Sequence, residues 1–400
     1  MIGQYYPPDV GGSHRRTFNA IKGLENRGHQ IQLVTAVPHY PDGVIPKKYK
    51  YKLLITEYEA KHRIFRVWLP SIPHHGFARR LLMYLLFSIT SLFALPLTKR
   101  PDVIWAASPS VISSIPAKIY SIVKRAPVVQ NVDDLWPETA IQLGVLNKRL
   151  KSAGEFLARI AYCQGATLTP ISPAYSKTLI RKYRIPESKI HVAEVGVDID
   201  AFFNPHSEDE SMKEKNRFII VYSGILGVGY DFEIVIQSAQ ILEENQEIQF
   251  LIRGTGEMEN WIRDEVKTRK LTNVLVSNEI LERTKLVELL TTADALLLPM
   301  KSHGHSDMGI PTKLLEYMAC GRPIVCSSAG ESARIVKEAS CGYVVQPGNA
   351  QALSDAISEL IKDPSTKKMG LNGRKFVEKN YTIEQIARKL EEAFTQARTL

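Results

Sequence analysis

Gly309-Ile-Pro-Thr-Lys-Leu-Leu-Glu-Tyr-Met-Ala-Cys-Gly-Arg-Pro-Ile-Val325 compresses a loop, a helix, a stop and the start of a strand into one short stretch. Pro311 and Thr312 suit the first turn of a helix, Gly321 suits its end, and Pro323 keeps it from continuing. The strand Pro323 to Cys326 follows. Working outward, Phe218 to Ser223, Ile248 to Ile252 and Ala295 to Leu298 are further apolar strands, the first two running into glycines (Gly224, Gly227, Gly229; Gly254-Thr-Gly256). The first half repeats the scheme. Gly11-Gly12 leads into the amphipathic stretch Ser13 to Arg27, then a strand around Ile31 to Val37; Val103 to Ala107, a helix Val111 to Arg125 and Val128 to Val132 come next. Strand and helix in alternation predict parallel sheets. The polar run from His206 to Asn216 reads as a surface linker. The expected fold is therefore α/β: two Rossmann-like doubly wound domains, 1–195 and 196–382, facing across a cleft into which the carboxyl ends of the strands deliver ligand-binding loops.

With 400 residues, 44% hydrophobic and 23% charged, the composition excludes disordered and fibrous classes. The net charge of +9 is unevenly spread: residues 1–200 carry 27 basic against 14 acidic, and residues 201–400 carry 24 against 28. The first half is thus built to meet something anionic. Cys163, Cys320, Cys326 and Cys341 lie far apart, which argues against a disulfide framework and a zinc site and for a reduced compartment. No secretory signal is expected from the turn-rich Tyr-Tyr-Pro-Pro-Asp that follows Gln4, and the short apolar stub before it suggests a natural start further upstream. Leu81 to Thr98 has no charge and is bracketed by Arg79-Arg80 and Lys99-Arg100. A helix of that length, about 27 Å, is read as a buried element of the first domain, with a membrane-interface helix and a true span as alternatives.

Three segments carry chemistry. The loop Pro7 to Gly12 ends at a helix amino terminus, where free amides and the helix dipole favour an anion; a tight turn is the alternative. Asp133-Asp134-Leu-Trp-Pro-Glu138 follows an apolar strand and offers a base or hydroxyl-orienting carboxylate plus a stacking ring, with helix capping by Asp134 as the alternative. In the opening segment, Lys313 and Glu316 share a helix face. A lysine in the first turn opposes the dipole, so a diphosphate fits there, and Glu316 suits a ribose diol.

The whole set resembles retaining glycosyltransferases of family 4, with the GT-B fold. It comprises Gln4-Tyr-Tyr-Pro-Pro-Asp-x-Gly-Gly12, Arg27-Gly-His29, Pro38-x-Tyr-Pro-x-Gly43, Asp134-Leu-Trp-Pro-Glu138, Gly196-Val-Asp198, Pro311 to Pro323, Gly330-Glu331, Cys341 to Gly348 and Asn372-Gly-Arg374. The branch it looks most like transfers N-acetylfucosamine and related sugars in surface-polysaccharide assembly. The resemblance implies an acceptor-binding first domain with a last helix, 383–400, packing back on it, and a second domain that binds a nucleotide-sugar. It places Asp134, Glu138 and Lys313 as catalytic residues. Gly11, Gly12, Arg253, Asp307, Lys313, Glu316 and Glu331 fall on the donor and Trp136 on the acceptor. Met308 stands where the family has the first Glu of a Glu-x7-Glu motif, leaving Asp307 as the neighbouring candidate. The usual Arg and Lys after the first strand of the second domain are absent from Gly224 to Tyr230, and Arg253 is the substitute, with a structural role as the alternative.

The expected function is retaining transfer of a sugar from a nucleoside-diphosphate donor, UDP-N-acetylhexosamine in type, to a lipid-linked or polysaccharide acceptor. The runner-up is a nucleotide-sugar-binding partner subunit without activity. No cofactor or metal is expected, since no Asp-x-Asp follows a strand; nucleic acid is excluded for want of a recognition motif. An excess of 18 basic over 6 acidic residues lies before Asp133, which points to an anionic membrane surface and a peripheral position at the cytoplasmic face.

Overall fold

A computed structural model describes residues 1–9, 12–40, 43–72, 77–107, 110–142, 146–202, 217–302 and 306–400. The chain divides into two units, Met1–Gly196 with Ile383–Leu400, and Val197–Thr382. The strands of the first are β1 (Ile2–Gly3), β2 (Gln32–Ala36), β3 (Leu54–Glu59), β4 (His62–Val67), β5 (Ile104–Ala107), β6 (Val128–Val132) and β7 (Thr167–Pro170). Its helices are α1 (Gly12–Asn26), α2 (Phe77–Thr90), α3 (Val111–Ser114), α4 (Pro116–Lys124), α5 (Glu138–Gln142), α6 (Lys151–Gln164) and α7 (Pro173–Tyr183).

The sheet order is β3-β4-β2-β1-β5-β6-β7, parallel except for β3 against β4. Because successive strand side chains point to opposite faces, the apolar residues sort cleanly. Leu33, Ile64, Trp105 and Val129 pack with Ile21 and Leu24 of α1 and with Ile386 and Leu390 of the last helix. Their neighbours Val34, Phe65, Ile104 and Val128 pack on the other face with Met83 and Phe87 of α2 and Ala117 and Tyr120 of α4. Helix α7 starts where its sequence dictates: the Ser172 hydroxyl accepts from the Tyr175 amide at 3.1 Å, and Pro173 takes the first turn.

The second unit holds β8 (Phe218–Ser223), β9 (Ile248–Arg253), β10 (Val274–Ser277), β11 (Ala295–Pro299), β12 (Ile324–Ser327) and β13 (Gly342–Val345), ordered β10-β9-β8-β11-β12-β13 and parallel throughout. Its helices are α8 (Phe232–Ile241), α9 (Glu259–Thr268), α10 (Arg283–Thr292), α11 (Thr312–Ala319), α12 (Glu331–Glu338), α13 (Ala350–Lys362) and α14 (Thr366–Asn380); α15 (Ile383–Thr399) belongs to the first unit. Strand β11 lies between β8 and β12, buried along its length, hence the unbroken apolar run Ala-Leu-Leu-Leu.

Three expectations change. The β3–β4 hairpin falls within the basic first half of the chain, expected to meet something anionic. Arg66 of that hairpin is in fact buried in β4, donating to Glu57 at 2.6 Å and to the Pro7 carbonyl at 2.7 Å, so it is not part of an anion-seeking surface. The single helix expected over Val111 to Arg125 is broken at Ile115, where Pro116 opens a new one. The uncharged stretch is α2 continued by a 3-10 helix, Ser91–Leu97, that contains Pro96; only its inner face is buried.

Helix α1 touches α15 at Gly23, where an added Cβ would stand 2.5 Å from the Ile383 carbonyl oxygen and 3.0 Å from the Ala387 Cβ. Alanine is favoured over glycine in a helix by about 1 kcal/mol, but overpacking costs about 1–3 kcal/mol. Gly23→Ala is therefore expected to lower Tm; a higher Tm would show that the two helices can move apart freely.

Candidate nucleotide-sugar and acceptor sites

In the second unit, the loops after β8, β9, β11 and β12 lie at one edge because the sheet is parallel. Gly224 and Gly254 press these loops together: both have positive φ (145° and 143°), and a Cβ on Gly254 would fall 1.7 Å from the Gly224 carbonyl oxygen. Beside them stands Lys313, in the first turn of α11. Its ammonium donates to the Tyr222 hydroxyl at 2.5 Å and lies 3.8 Å from the Tyr222 ring centre and 4.0 Å from that of Tyr230. A Cβ on Gly224 would meet Nζ at 2.6 Å. Tyr317, one turn further along α11, fixes the end of β8 by accepting from the Ser223 amide at 2.7 Å and donating to its carbonyl at 2.9 Å.

Burial holds the Lys313 ammonium well below the usual lysine value, and nearby Glu316 only partly offsets this. The start of α11 has no capping side chain and no acidic residue in its first turn. Free amides, the positive end of the dipole and a desolvated lysine thus converge on one point, an arrangement that favours a polyanion.

The other residues anticipated in this unit sit on the same edge in different circumstances. Glu316 is partly exposed, 3.9 Å from Arg283. Glu331 opens α12 and pairs with Arg334 at 2.9 Å. Asp307 accepts from Ser302 at 2.8 Å, and its backbone carbonyl packs on Gly330, beside Glu331; its buried Oδ1 has no hydrogen-bond partner among the described residues. Arg253 is buried, donating to Ser223 Oγ at 3.1 Å and to the Glu279 carbonyl at 2.5 Å. It braces three loops rather than presenting a free clamp.

In the first unit, Gly12 begins α1, while Gly11 lies outside the described residues. Arg16 of α1 is buried and donates to Asn131 at 2.5 Å, to the Ala193 carbonyl at 2.7 Å and to Asp133 at 2.7 Å. The adjacent Asp134 has no such partner among the described residues: burial, with Asp133 beside it, raises its carboxyl to about 7. Trp136 is not an open stacking platform. It is 7% exposed and meets Tyr84 edge-on at 6.2 Å. Glu138 is buried against Lys182, with the Tyr183 hydroxyl 3.3 Å from both its oxygens, so its carboxylate serves the packing of α5 on α7.

A cluster that sequence reasoning missed surrounds the end of β1. Asp9 Oδ1 accepts from the amides of His39 (2.8 Å) and Tyr40 (2.9 Å), yet the buried Oδ2 has no hydrogen-bond donor among the described residues. Burial raises this carboxyl to about 6 and lowers the His39 imidazole to about 4. His39 Nδ1 lies 2.7 Å from the Val37 carbonyl and Nε2 faces Gln4 at 3.4 Å. Tyr5 stacks on His39 and lies beside Tyr84 of α2. Only the placement of Asp9 and Pro38 after apolar strands hinted at this. No group of three His, Cys, Asp or Glu side chains suited to a metal ion occurs among the described residues.

Two Rossmann-like units with polar loops gathered at the carboxyl edges define the GT-B class of glycosyltransferase folds. The family model for glycosyl transferases group 1 matches residues 204–376, and that for the glycosyl transferase 4-like domain matches residues 11–196. The two halves of the chain thus match two glycosyltransferase family models, 4-like in the first and group 1 in the second. The chain is 24% identical over 415 aligned positions, 97% of each chain, to WcaI of Escherichia coli (strain K12), assigned provisionally as a colanic acid biosynthesis glycosyl transferase. The sucrose-phosphate synthase of Thermosynechococcus elongatus superposes with a TM-score of 0.77 at 17% identity, over 99% of this chain and 98% of that one. HepE of Anabaena, solved in complex with UDP, gives 0.70 at 14% identity over 98% of each.

An acid whose folded pKa is raised is most stabilising below its unfolded value and loses that contribution as pH rises through the folded one. For Asp134 the window runs from about 4 to about 7. Asp134→Asn removes the loss, so its Tm relative to the parent should climb across that window. A pH-independent Tm difference in parallel melts would place Asp134 in water.

Proposed function

We propose that the protein moves a sugar, with retention, from a nucleoside-diphosphate donor of the UDP type to a glycan or lipid-linked acceptor in surface-polysaccharide assembly. The observation that carries this reading is the Lys313 ammonium, desolvated over Tyr222 and Tyr230 at the amino terminus of α11. A diphosphate supplies the missing counter-charge. It gains most when negative charge grows on the β-phosphate, because preorganised donors are strongest where charge develops. Glu316 accepts from the ribose diol, Glu331 lies near the nucleotide, and Asp307, through its unpaired Oδ1, accepts from a hydroxyl of the donor sugar. Gly12 lets the phosphate or transferred sugar approach the start of α1. The UDP seen in HepE and the polysaccharide role of WcaI support the donor and the pathway class.

In the first unit, Asp134 and the Asp9–His39 cluster form the polar environment for the acceptor hydroxyl. The bond from the sugar anomeric carbon to the β-phosphate oxygen breaks, a bond to the acceptor oxygen forms on the same face, and the hydroxyl proton passes to the departing phosphate oxygen. Lysine and helix amides take the place of a metal in this scheme. The protein acts peripherally, on the cytoplasmic side of the membrane.

Lys313→Ala and Glu316→Ala should each lower turnover of a UDP-sugar at least tenfold, and UDP should raise the Tm of the parent more than GDP does. Near-parental rates for both variants would overturn the assignment. A Tm rise with UDP but no transfer across a panel of acceptors would leave a binding subunit instead.

A further inference from the structure

Helices α2, α4 and α6 lie on one side of the first sheet. The α2 and α4 core packs on the residues of Val128 parity; Gln130, of the same parity, accepts from Gln164 of α6 at 3.0 Å. Hydrogen bonds tie the helices together: Ser88 Oγ to the Ile112 carbonyl at 2.8 Å, Tyr120 to the Ser91 carbonyl at 2.7 Å, and Gln164 to the Ser114 carbonyl at 3.3 Å. Their outward side is apolar. Leu85, Ile89 and Phe93 are 46%, 59% and 48% exposed, Ile122 and Val123 of α4 are 68% and 57%, and Phe156 of α6 is 65%. Single exposed apolar residues need no explanation, but a surface shared by three adjoining helices does.

The charges around this surface have one sign. Residues 77–97, 111–125 and 148–164 contain nine lysines and arginines and a single acid, Glu155, which pairs with Lys182 at 2.7 Å. A second copy seated face to face would bring these like charges together, since a two-fold interface apposes the same patch. Protein interfaces are in general depleted in lysine. Helices bearing an apolar strip rimmed by lysine and arginine instead lie in the headgroup region of a bilayer, where basic residues are drawn to anionic lipid. Ala78–Leu97 is long and apolar enough to cross a membrane, with 28% of its window buried. Crossing would tear Met83, Phe87 and Ala94, all fully buried, out of the core.

We propose that the outward face of α2, α4 and α6 rests on an anionic lipid surface, with Ile89, Ile122 and Phe156 in the headgroup boundary and the basic residues against lipid phosphates. Helix α2 then separates lipid from the polar cluster, because its Tyr84 reaches Trp136 and Tyr5 on the inner side. The inference does not depend on which donor the second unit binds.

The test is flotation of the full chain with phosphatidylcholine vesicles, with and without about one third phosphatidylglycerol. Binding should be at least tenfold tighter with the anionic lipid and weaken in high salt. Ile89→Glu with Ile122→Glu and Phe156→Glu should lower it a further tenfold or more while Tm stays near the parental value; Ile122→Glu alone should weaken it if the triple variant unfolds. Failure of the parent to bind anionic vesicles, or binding unchanged by the substitutions, overturns the proposal. So does a dimer in sedimentation velocity that the same substitutions dissociate, since the face would then be a self-association surface.

Discussion

A parallel sheet gathers the carboxyl ends of its strands, and the amino termini of the helices that follow them, at one edge. In the second unit that geometry sets a cation where it is least comfortable: Lys313 stands in the first turn of α11, against the positive end of the dipole and partly withdrawn from water. Two aromatic faces and a hydroxyl compensate in part. Cation–π contacts provide about 0.5–2 kcal/mol, the dipole takes back about 0.3–1 kcal/mol, and desolvating an ion costs several kcal/mol. The deficit is what an incoming diphosphate relieves. The surrounding loop architecture, from Gly224 against Gly254 to Tyr317 on Ser223 and Arg253 across three loops, keeps the ammonium in place.

The first unit applies the same logic to carboxylates. Arg16 reaches from α1 to Asn131 and Asp133 rather than to Asp134. Burial raises both carboxyls of the adjacent pair, and Arg16 offsets part of that rise for Asp133 alone. Asp9 repeats the pattern with backbone amides in place of arginine, and its second oxygen has no donor among the described residues. Both carboxylates share a neighbourhood with Tyr84, on the inner face of the helix whose outer face is apolar.

Much of this was legible in the order of residues. The α11 helix was bracketed by Pro311 and Gly321, and the strand–glycine–helix repetition announced two doubly wound sheets. The hairpin β3–β4 was hidden because Arg63 and Arg66 look like surface charge until Glu57 and the rings of Tyr6 and Tyr49 are folded against Arg66. Trp136 and Glu138 kept the spacing of site residues, yet the packing of α2, α5 and α7 turned both inward. The partners of Lys313 could not be read at all: Tyr222 lies 91 positions away and meets it only through the register of β8 beside β11. Local pattern specified the elements, whereas long-range packing decided which polar groups lost their water.

Calorimetric titration with UDP in buffers of different ionisation enthalpy tests the central claim most directly. Across a series from about pH 7 to about pH 10, above the titration of a terminal phosphate near about 6, a lysine held below its usual value by burial gains a proton as the diphosphate arrives wherever in that range the free protein has lost it. The account predicts net proton uptake by the parent and its loss in Lys313→Arg, whose guanidinium is always charged. Binding of UDP without proton uptake, or uptake that Lys313→Arg leaves unchanged, would contradict it.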